Sequence, residues 1–130
     1  MSFIYIDARE RGFVVLGLLD AESSKLKRLH VPLGGLVKVL QKYFTKSALE
    51  SAQGIIVING PGPFSSIRTG VLAANLLSRI LRIPLYAVSG SGKIDISTLL
   101  RDVASGHIKP VKYAEPIYDA EPNITISKSI

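Results

Sequence analysis

The 130-residue sequence contains no cysteine, which excludes disulfide bonds and thiolate chemistry. It also lacks the roughly 20 uninterrupted apolar residues that a membrane span requires, because Asn75, Ser78, Arg79 and Arg82 divide its longest apolar run. The N-terminal residues MSFIYIDARERG show no basic lead-in followed by an apolar core, so no signal peptide is recognised. We therefore expect a cytoplasmic protein without a membrane partner.

Two familiar site patterns are incomplete in this sequence. The stretch SGSGK resembles part of a Walker phosphate loop, but Ala87 stands where that loop requires glycine and Ile94 where it requires a hydroxyl. His30 and His107 have no acidic or histidine partner at ligand spacing. We therefore expect no metal site, and an ordinary loop at SGSGK.

The net charge is +6, and a basic balance can indicate a nucleic-acid partner. The basic residues are interpreted as scattered between Lys25 and Arg101, with no basic block interleaved with aromatic residues. This distribution favours a general contribution to solubility over a direct nucleic-acid role.

The hydrophobic pattern predicts three strands and then alternating helices and strands. Residues 3–7, 13–19 and 25–31 are β-rich runs joined by short turns, as in an antiparallel meander. The pattern further along the chain predicts a helix over 33–46, a buried strand over 53–59, a helix over 65–82, a strand over 84–89 and a helix over 95–105.

This order, β-β-β-α-β-α-β-α, predicts an α/β fold with a mixed five-stranded sheet, the ribonuclease-H-like core that actin-like ATPases also use as a lobe. We expect one domain over residues 1–106 and a proline-containing extended tail over 107–130. A nuclease of this fold needs carboxylates from the first strand, the first helix and the fourth strand to hold two metals. Asp7 is suitably placed, but the other two elements contain no acid, so nuclease chemistry is excluded.

The stretch NGPGPFSSIRTG, residues 59–70, joins a predicted strand to the long helix. Its glycines and the helix N-terminus could bind an anion, with Ser65 and Ser66 contributing hydroxyls. Alternatively the glycine-proline corner only directs the helix and Ser65 is its N-cap. Pro61 and Pro63 lack amide donors, which counts against a phosphate site, and the second interpretation is favoured.

The long helix is apolar around most of its circumference. One predicted face contains Ile67, Gly70, Val71, Ala74, Leu77 and Leu81. A second face contains Leu72, Ala73, Leu76 and Ile80. A helix lying on a sheet needs only one apolar face. The second face is therefore covered either by the first helix and the tail or by another polypeptide.

The stretch GIIVINGPGPFSSIRTGVLAANLLSRILRIPLYAVS resembles the hallmark segment of the TsaB (YeaZ) family. Members carry a GPG-S-F-T-G-[LI]-R-x-G motif, an alanine- and leucine-rich helix and an [IL]-P-[LV] strand. The matching positions are Gly60, Pro61, Gly62, Phe64, Arg68, Gly70, Ala74 and Pro84. Pro63 and Ser66 depart from the usual serine and glycine. The first strand ending in Asp7 and the proline-rich C-terminal residues also resemble the family.

The resemblance implies a role in forming threonylcarbamoyladenosine at adenosine 37 of tRNA. In that family TsaB is a non-catalytic dimerisation subunit that binds the transferase TsaD, in a complex that includes the ATPase TsaE. Family members usually have two lobes, whereas this chain resembles a shortened, single-lobe form. The turn after Asp7 also lacks the family's hydroxyls, so Asp7 is kept only as a candidate for residual nucleotide contact, and no ATP or magnesium cofactor is expected.

We therefore predict a scaffold subunit without catalytic residues, which contacts tRNA only through the complex. The predicted partner interface comprises Val39, Tyr43, Leu72, Ala73, Leu76 and Ile80. A TsaE-like ATPase is a further expected partner, and a homodimer is expected when TsaD is absent. Two alternatives stay open: a weak nucleotide-binding lobe completed by oligomerisation, and a tRNA-binding accessory protein using Arg68, Arg79 and Arg82.

Overall fold

The computed structural model describes residues 2–119, which form a five-stranded sheet with helices on both faces. The strands are β1 Ser2–Asp7, β2 Phe13–Leu19, β3 Ser24–His30, β4 Ala52–Ile58 and β5 Leu85–Val88. The helices are α1 Leu36–Tyr43, α2 Lys46–Ser51, α3 Phe64–Leu81 and α4 Ile96–Ser105. The strand order is β3-β2-β1-β4-β5.

The sheet is mixed, as the sequence predicted. β1 and β2 pair antiparallel, as do β2 and β3, in the expected meander. β4 pairs parallel to β1, and β5 pairs parallel to β4. The parallel strands β1, β4 and β5 consequently end at one edge of the sheet, which we call the carboxyl edge.

The two faces of the central strands supply two separate cores. Alternate residues of a strand point to opposite faces. Ile4 and Ile6 of β1 pack with the buried face of α3, including Ile67. Tyr5 lies on the other face, in a cluster with Leu99 of α4. Double-sided burial explains why β4 is a continuous apolar run rather than an alternating one.

The close seating of α3 on β1 depends on Gly70. A Cβ atom at Gly70 would lie 2.6 Å from the Cβ of Ala8, immediately after β1. Real Cβ contacts are not this short, so a side chain at position 70 would push α3 away from the sheet. The glycine therefore lets the N-terminal half of α3 approach the carboxyl edge.

The region predicted as one helix over 33–46 contains two helices. Gly34 has a positive φ of 70°, and α1 begins only at Leu36. Phe44 is extended, with ψ 126°, and its buried side chain ends α1. Thr45 then starts α2 by accepting a hydrogen bond from the Ala48 amide, 3.0 Å away. The predicted element order therefore lacks one helix, because a buried aromatic residue interrupts the helical period.

The remaining element boundaries differ from the predicted ones by at most one residue. α3 begins after Pro63 at its N-cap, without a side-chain cap, so Ser65 is not the cap. In α4, the Asp95 side chain caps the first turn, and Gly106 takes the left-handed conformation past the end.

Residues 107–119 run back across the body of the domain. Val111 forms a bridge with Leu85 of β5, and Tyr118 forms one with Gly62. The predicted tail extends to residue 130, and its residues 120–130 lie outside the described residues. The boundary at residue 106 stays a prediction.

Candidate functional site

The carboxyl edge is the usual place for a ligand in an open α/β sheet. It brings together Asp7 at the end of β1, the motif loop after β4 (residues 59–63) and the glycine-containing loop after β5. This is also where the sequence placed its candidate for nucleotide contact.

Asp7 is buried at the carboxyl edge and is paired with Arg9. The Arg9 Nε and Nη2 atoms donate to the two Asp7 carboxylate oxygens at 2.9 and 2.8 Å. The Arg9 amide also donates to Asp7 Oδ1 at 3.2 Å, and the Tyr5 hydroxyl donates to Oδ2 at 3.4 Å. The carboxylate therefore has donors at both oxygens from within its own chain.

Arg9 also fastens the loop that follows β5. Its Nη1 atom donates to the carbonyl oxygens of Gly90 and Gly92, at 2.7 and 2.8 Å. The hydrogen bonds from its guanidinium to Asp7 raise the pKa of Arg9, so the charge of this group is secure. Burial, with the nearby Asp7 carboxylate, raises the pKa of Tyr5, which keeps its hydroxyl protonated as a donor. The side chain of Arg9 thus closes the edge between β1 and β5.

The motif loop binds residues 115–119 of the chain itself. The Gly62 amide donates to the Ile117 carbonyl at 3.2 Å, and the Asp119 amide donates to the Gly62 carbonyl at 2.9 Å. The Ile117 amide donates to the Asn59 carbonyl at 2.7 Å, and the Asn59 Nδ2 atom donates to the Glu115 carbonyl at 2.8 Å.

Gly60 shows why the loop needs glycine. Its φ of 127° lies in a region that residues with a side chain avoid. A Cβ atom at this position would also collide with the Ile117 carbonyl oxygen. Its own carbonyl accepts from the Gly90 amide at 3.0 Å. Packing within the chain therefore explains the glycines of the motif. The loop directs α3 and also anchors residues 107–119, which we call the C-terminal segment.

One buried polar atom at the carboxyl edge has no partner among the described residues. Asn59 Oδ1 is buried and accepts no hydrogen bond there, although the Nδ2 atom of the same side chain is satisfied. The other polar side chains described above at the carboxyl edge, those of Tyr5, Asp7 and Arg9, have hydrogen-bond partners within the chain.

The C-terminal segment also holds one flank of α3. The Asn75 side chain exchanges two hydrogen bonds with the backbone of Ala114, at 3.1 and 2.7 Å. The rings of Phe64 and Tyr118 lie 4.6 Å apart, and the Arg68 guanidinium lies 5.8 Å from the centroid of Phe64. Among the motif residues, Phe64 and Arg68 are exposed, whereas Gly60, Gly62 and Gly70 are buried.

The second apolar face of α3 is open. Leu72, Leu76 and Ile80 are 55%, 51% and 73% exposed. We call these three residues the outer strip. Ala73 is half-buried beside them. The opposite face, including Ile67, Val71 and Ala74, is buried against the sheet. Within residues 2–119, neither α1 nor the C-terminal segment covers the outer strip.

α1 contributes two different flanks. Val39 and Tyr43 are half-buried and line a groove beside β3. Val37 lies about 200° from Val39 around the helix and is 63% exposed. The structure therefore does not bring Val39 and Tyr43 to the outer strip, and the exposed apolar residue on the other flank of α1 is Val37. The predicted partner interface did not include Val37.

Two further observations bound the chemistry of the described part. Residues 2–119 contain no cluster of three or more His, Asp or Glu side chains arranged to hold a metal ion. Over the same residues, no helix has the combination of length and hydropathy needed to cross a bilayer.

Comparisons with known proteins identify the family. The sequence model of the family described as "TsaD: tRNA N6-adenosine threonylcarbamoyltransferase" matches residues 27–92, just over half of the chain. The chain belongs to the TsaD family. The matched region runs from β3 to the loop after β5 and includes the motif loop and the whole of α3. No curated protein matches the sequence.

Solved structures show the same fold as this TsaD-family chain. YeaZ from Pseudomonas aeruginosa superposes with a TM-score of 0.57 at 19% identity, over 68% of this chain and 42% of YeaZ. A protein described as uncharacterised, with similarity to peptidase YEAZ from Pseudomonas aeruginosa, gives a TM-score of 0.53 at 21% identity, over 68% of this chain and 43% of its own. The chain thus spans less than half the length of these structures. The YeaZ-like, actin-like fold predicted from the sequence is confirmed.

Proposed function

We propose that this TsaD-family chain is a non-catalytic, TsaB-type subunit of the system that forms threonylcarbamoyladenosine at adenosine 37 of tRNA. Its role is to bind a TsaD-like transferase through the outer strip of α3. The observation that carries the proposal is that the same helix builds the core with one face and leaves three large aliphatic side chains open on the other. The family match over α3 supports the choice of partner.

The outer strip has the geometry of a helix-packing surface. Leu72, Leu76 and Ile80 are spaced four residues apart, so they form one ridge along the helix. Half-buried Ala73 beside the ridge leaves room for a second helix to approach. Since each side chain is about half exposed, burying it contributes about 1 kcal/mol, and three such contacts are enough to influence assembly.

The non-catalytic part of the proposal is supported by the carboxyl edge. A nucleotide with magnesium would need a free carboxylate at Asp7 and free amides in the motif loop. Asp7 is paired with Arg9, and the Gly62 amide donates to Ile117. These residues therefore do not fit the group, and no ATP-dependent step is assigned to this chain.

Substitution of Leu76 tests the partner surface. Leu76→Glu should leave the chain folded, because the side chain is exposed, and should abolish co-purification with the TsaD-like protein of the same organism. Complex formation would be measured by co-expression and size-exclusion chromatography with light scattering. Leu26→Glu is the matched control, because Leu26 is a comparably exposed leucine on β3, away from α3.

The expected result is a one-to-one complex for the wild type and for Leu26→Glu only. Retention of the complex by Leu76→Glu would show that the partner uses another surface. The lone chain is proposed to form a weak homodimer through the same strip, and Leu76→Glu should make it monomeric. Adding a TsaE-like ATPase to the complex would test the third partner.

Calorimetry with ATP and magnesium separates this proposal from the nucleotide-binding alternative. The scaffold proposal expects no heat of binding from the isolated chain or from its homodimer. Saturable heat that disappears in Asp7→Asn would favour the nucleotide-binding lobe instead.

A further inference from the structure

The net positive charge of this chain comes from one segment. Residues 23–49 contain six Lys or Arg residues and no Asp or Glu. The rest of the sequence carries ten Lys or Arg and ten Asp or Glu, so it is neutral overall. The basic residues are spread along the sequence, but the whole net charge comes from β3, α1, the start of α2 and the loops between them.

Within this segment, lysines from two elements line one groove. The groove lies between β3 and α1 and has a volume of about 470 Å³. Lys27 comes from β3, and Lys38 and Lys42 come from α1, four residues and thus about one turn apart. Val39 and Tyr43 line the groove with them. We call this site the basic groove.

The strand register explains the position of Lys27. Lys27 pairs with Leu16 of β2, and Leu29 pairs with Val14. Leu16 and Val14 belong to the core beneath α1 and α3, so Lys27 and Leu29 lie on that same face of the sheet. The exposed edge strand therefore extends a lysine toward α1.

The basic groove has no counter-charge in the part of the chain that the structure describes. The ion pairs found over residues 2–119 are Arg9 with Asp7, Arg28 with Glu10 and Lys46 with Glu50. None of the three groove lysines takes part, and no acidic side chain lines the groove. Like charges four residues apart on a helix repel each other. An anionic partner would relieve this repulsion.

We propose that the basic groove binds the phosphate backbone of RNA. Lysine ammonium groups bind phosphates as point charges without reading the base sequence. The half-buried ring of Tyr43 in the groove adds a surface on which a base can stack. The choice of RNA among polyanions rests on the proposed function, because that system acts on tRNA. The groove then gives the chain a direct tRNA contact, separate from the outer strip.

A membrane surface is the less suitable anion for this groove. An interfacial helix inserts an apolar face into the bilayer opposite its basic face. The face of α1 opposite Lys38 and Lys42 carries Leu36 and Leu40, which pack into the core. α1 therefore has no apolar face free for insertion beneath its lysines.

The test is binding of fluorescently labelled bulk tRNA to the full chain, measured by anisotropy at 50 and 200 mM KCl. Three phosphate contacts predict that affinity falls about 20- to 40-fold between these salt concentrations. The triple variant Lys27→Glu, Lys38→Glu, Lys42→Glu should bind at least about tenfold more weakly at 50 mM KCl. The control is the triple variant Lys93→Glu, Lys109→Glu, Lys112→Glu, which changes the net charge by the same amount at exposed lysines outside the groove. Its affinity for tRNA should stay within about twofold of that of the wild type.

Several outcomes would overturn the proposal. Equal losses in the two triple variants would mean that only net charge matters, and no binding by the wild type at 50 mM KCl would remove the site. Binding to phosphatidylserine-containing vesicles but not to tRNA would assign the groove to a membrane. If circular dichroism shows that the groove triple is unfolded, Lys27→Gln, Lys38→Gln, Lys42→Gln replaces it and should also weaken tRNA binding.

The design separates this proposal from the proposed function. Leu76→Glu should lose the TsaD-like partner and keep tRNA binding, whereas the groove triple should keep the partner and lose tRNA. If Leu76→Glu retains the partner while the groove triple still loses tRNA, the partner surface is wrong and the RNA contact stands.

Discussion

The carboxyl edge of the sheet and the outer surface formed by β3, α1 and α3 differ in how their side chains are used. At the edge, Asp7 and Arg9 bind each other, and the motif loop binds residues 115–119. On the outer surface, no group within residues 2–119 covers the outer strip, and none of the three groove lysines forms an ion pair with these residues. The edge therefore stabilises the fold, and the outer surface is available for partners.

Because of this difference, the shared fold does not by itself assign a function to the carboxyl edge of this chain. An open α/β sheet usually binds its ligand at the carboxyl edge. In this chain, the side chain of Arg9, two residues after Asp7, lies at that edge and donates hydrogen bonds to Asp7 and to the Gly90 carbonyl. A fold alone does not assign an activity, and the side chains at the site decide it.

The largest expected effect comes from Gly60, at the centre of the closed edge. Gly60→Ala should lower the free energy of unfolding by about 2–3 kcal/mol, because it combines an unfavourable φ with a collision against the Ile117 carbonyl. Chemical denaturation measures the loss. Residues 107–119 should also become sensitive to limited proteolysis, since the loop no longer holds them.

Gly34→Ala is the matched control on the outer side of the molecule. Gly34 also has a positive φ, of 70°, but nothing lies within 4 Å of the position a Cβ would take. This variant should lose only the backbone contribution, about 1 kcal/mol. Equal losses in the two variants would mean that the contact with Ile117 contributes nothing and that the edge is less tightly closed than described.

The ion pair at the edge should contribute somewhat less. Asp7→Asn removes the charge that faces Arg9 and should lower the free energy of unfolding by about 1–2 kcal/mol. The side chains of Asp7 and Arg9 are only 9% and 17% exposed, so solvent screens the pair weakly. Urea denaturation at neutral pH measures the effect.

The same substitution in an exposed pair provides the comparison. Glu10 binds Arg28 at 2.6 Å, but these side chains are 53% and 54% exposed. Glu10→Gln should therefore change the stability by no more than the error of the measurement. A loss as large as that of Asp7→Asn would show that burial is not what distinguishes the carboxyl edge.

Much of this fold could be predicted from the sequence, because local patterns set it. The alternation in β3, the apolar run of β4 and the two-faced period of α3 each indicated the correct element. The predicted helix over 95–105 matches α4 to within one residue, and Asp95 and Gly106 are residue types typical of the two helix ends. Counting apolar positions around the helix also indicated the second apolar face of α3, but not whether another part of the chain covers it.

The features that were missed depend on contacts between distant residues. The hydrogen bonds from Arg9 to Gly90 and Gly92 join residues 81 and 83 positions apart, and no local pattern reports such a contact. The end of α1 at Phe44 depends on a buried pocket for its ring. The charge of residues 23–49 was visible in the sequence, but only the pairing of β3 with its neighbours and the position of α1 place its lysines in one groove.

A smaller effect than that of Asp7→Asn is expected at the far end of the loop that Arg9 binds, where Asp95 caps α4. Its Oδ1 and Oδ2 atoms accept from the Thr98 amide and hydroxyl at 3.3 and 2.9 Å. The side-chain hydrogen bond from Thr98, followed by the backbone one, lowers the pKa of Asp95 below its ordinary value of 3.8. A carboxyl group whose pKa is lower in the folded state stabilises that state fully at pH values above its unfolded pKa. This stabilisation is lost as the pH falls through the folded pKa. Asp95→Ala should therefore lower the unfolding temperature slightly at pH 7, and the difference from the wild type should persist down to pH 4 and shrink only at more acidic pH. A difference that disappears already between pH 7 and pH 5 would mean that the ionised carboxylate is not what caps the helix.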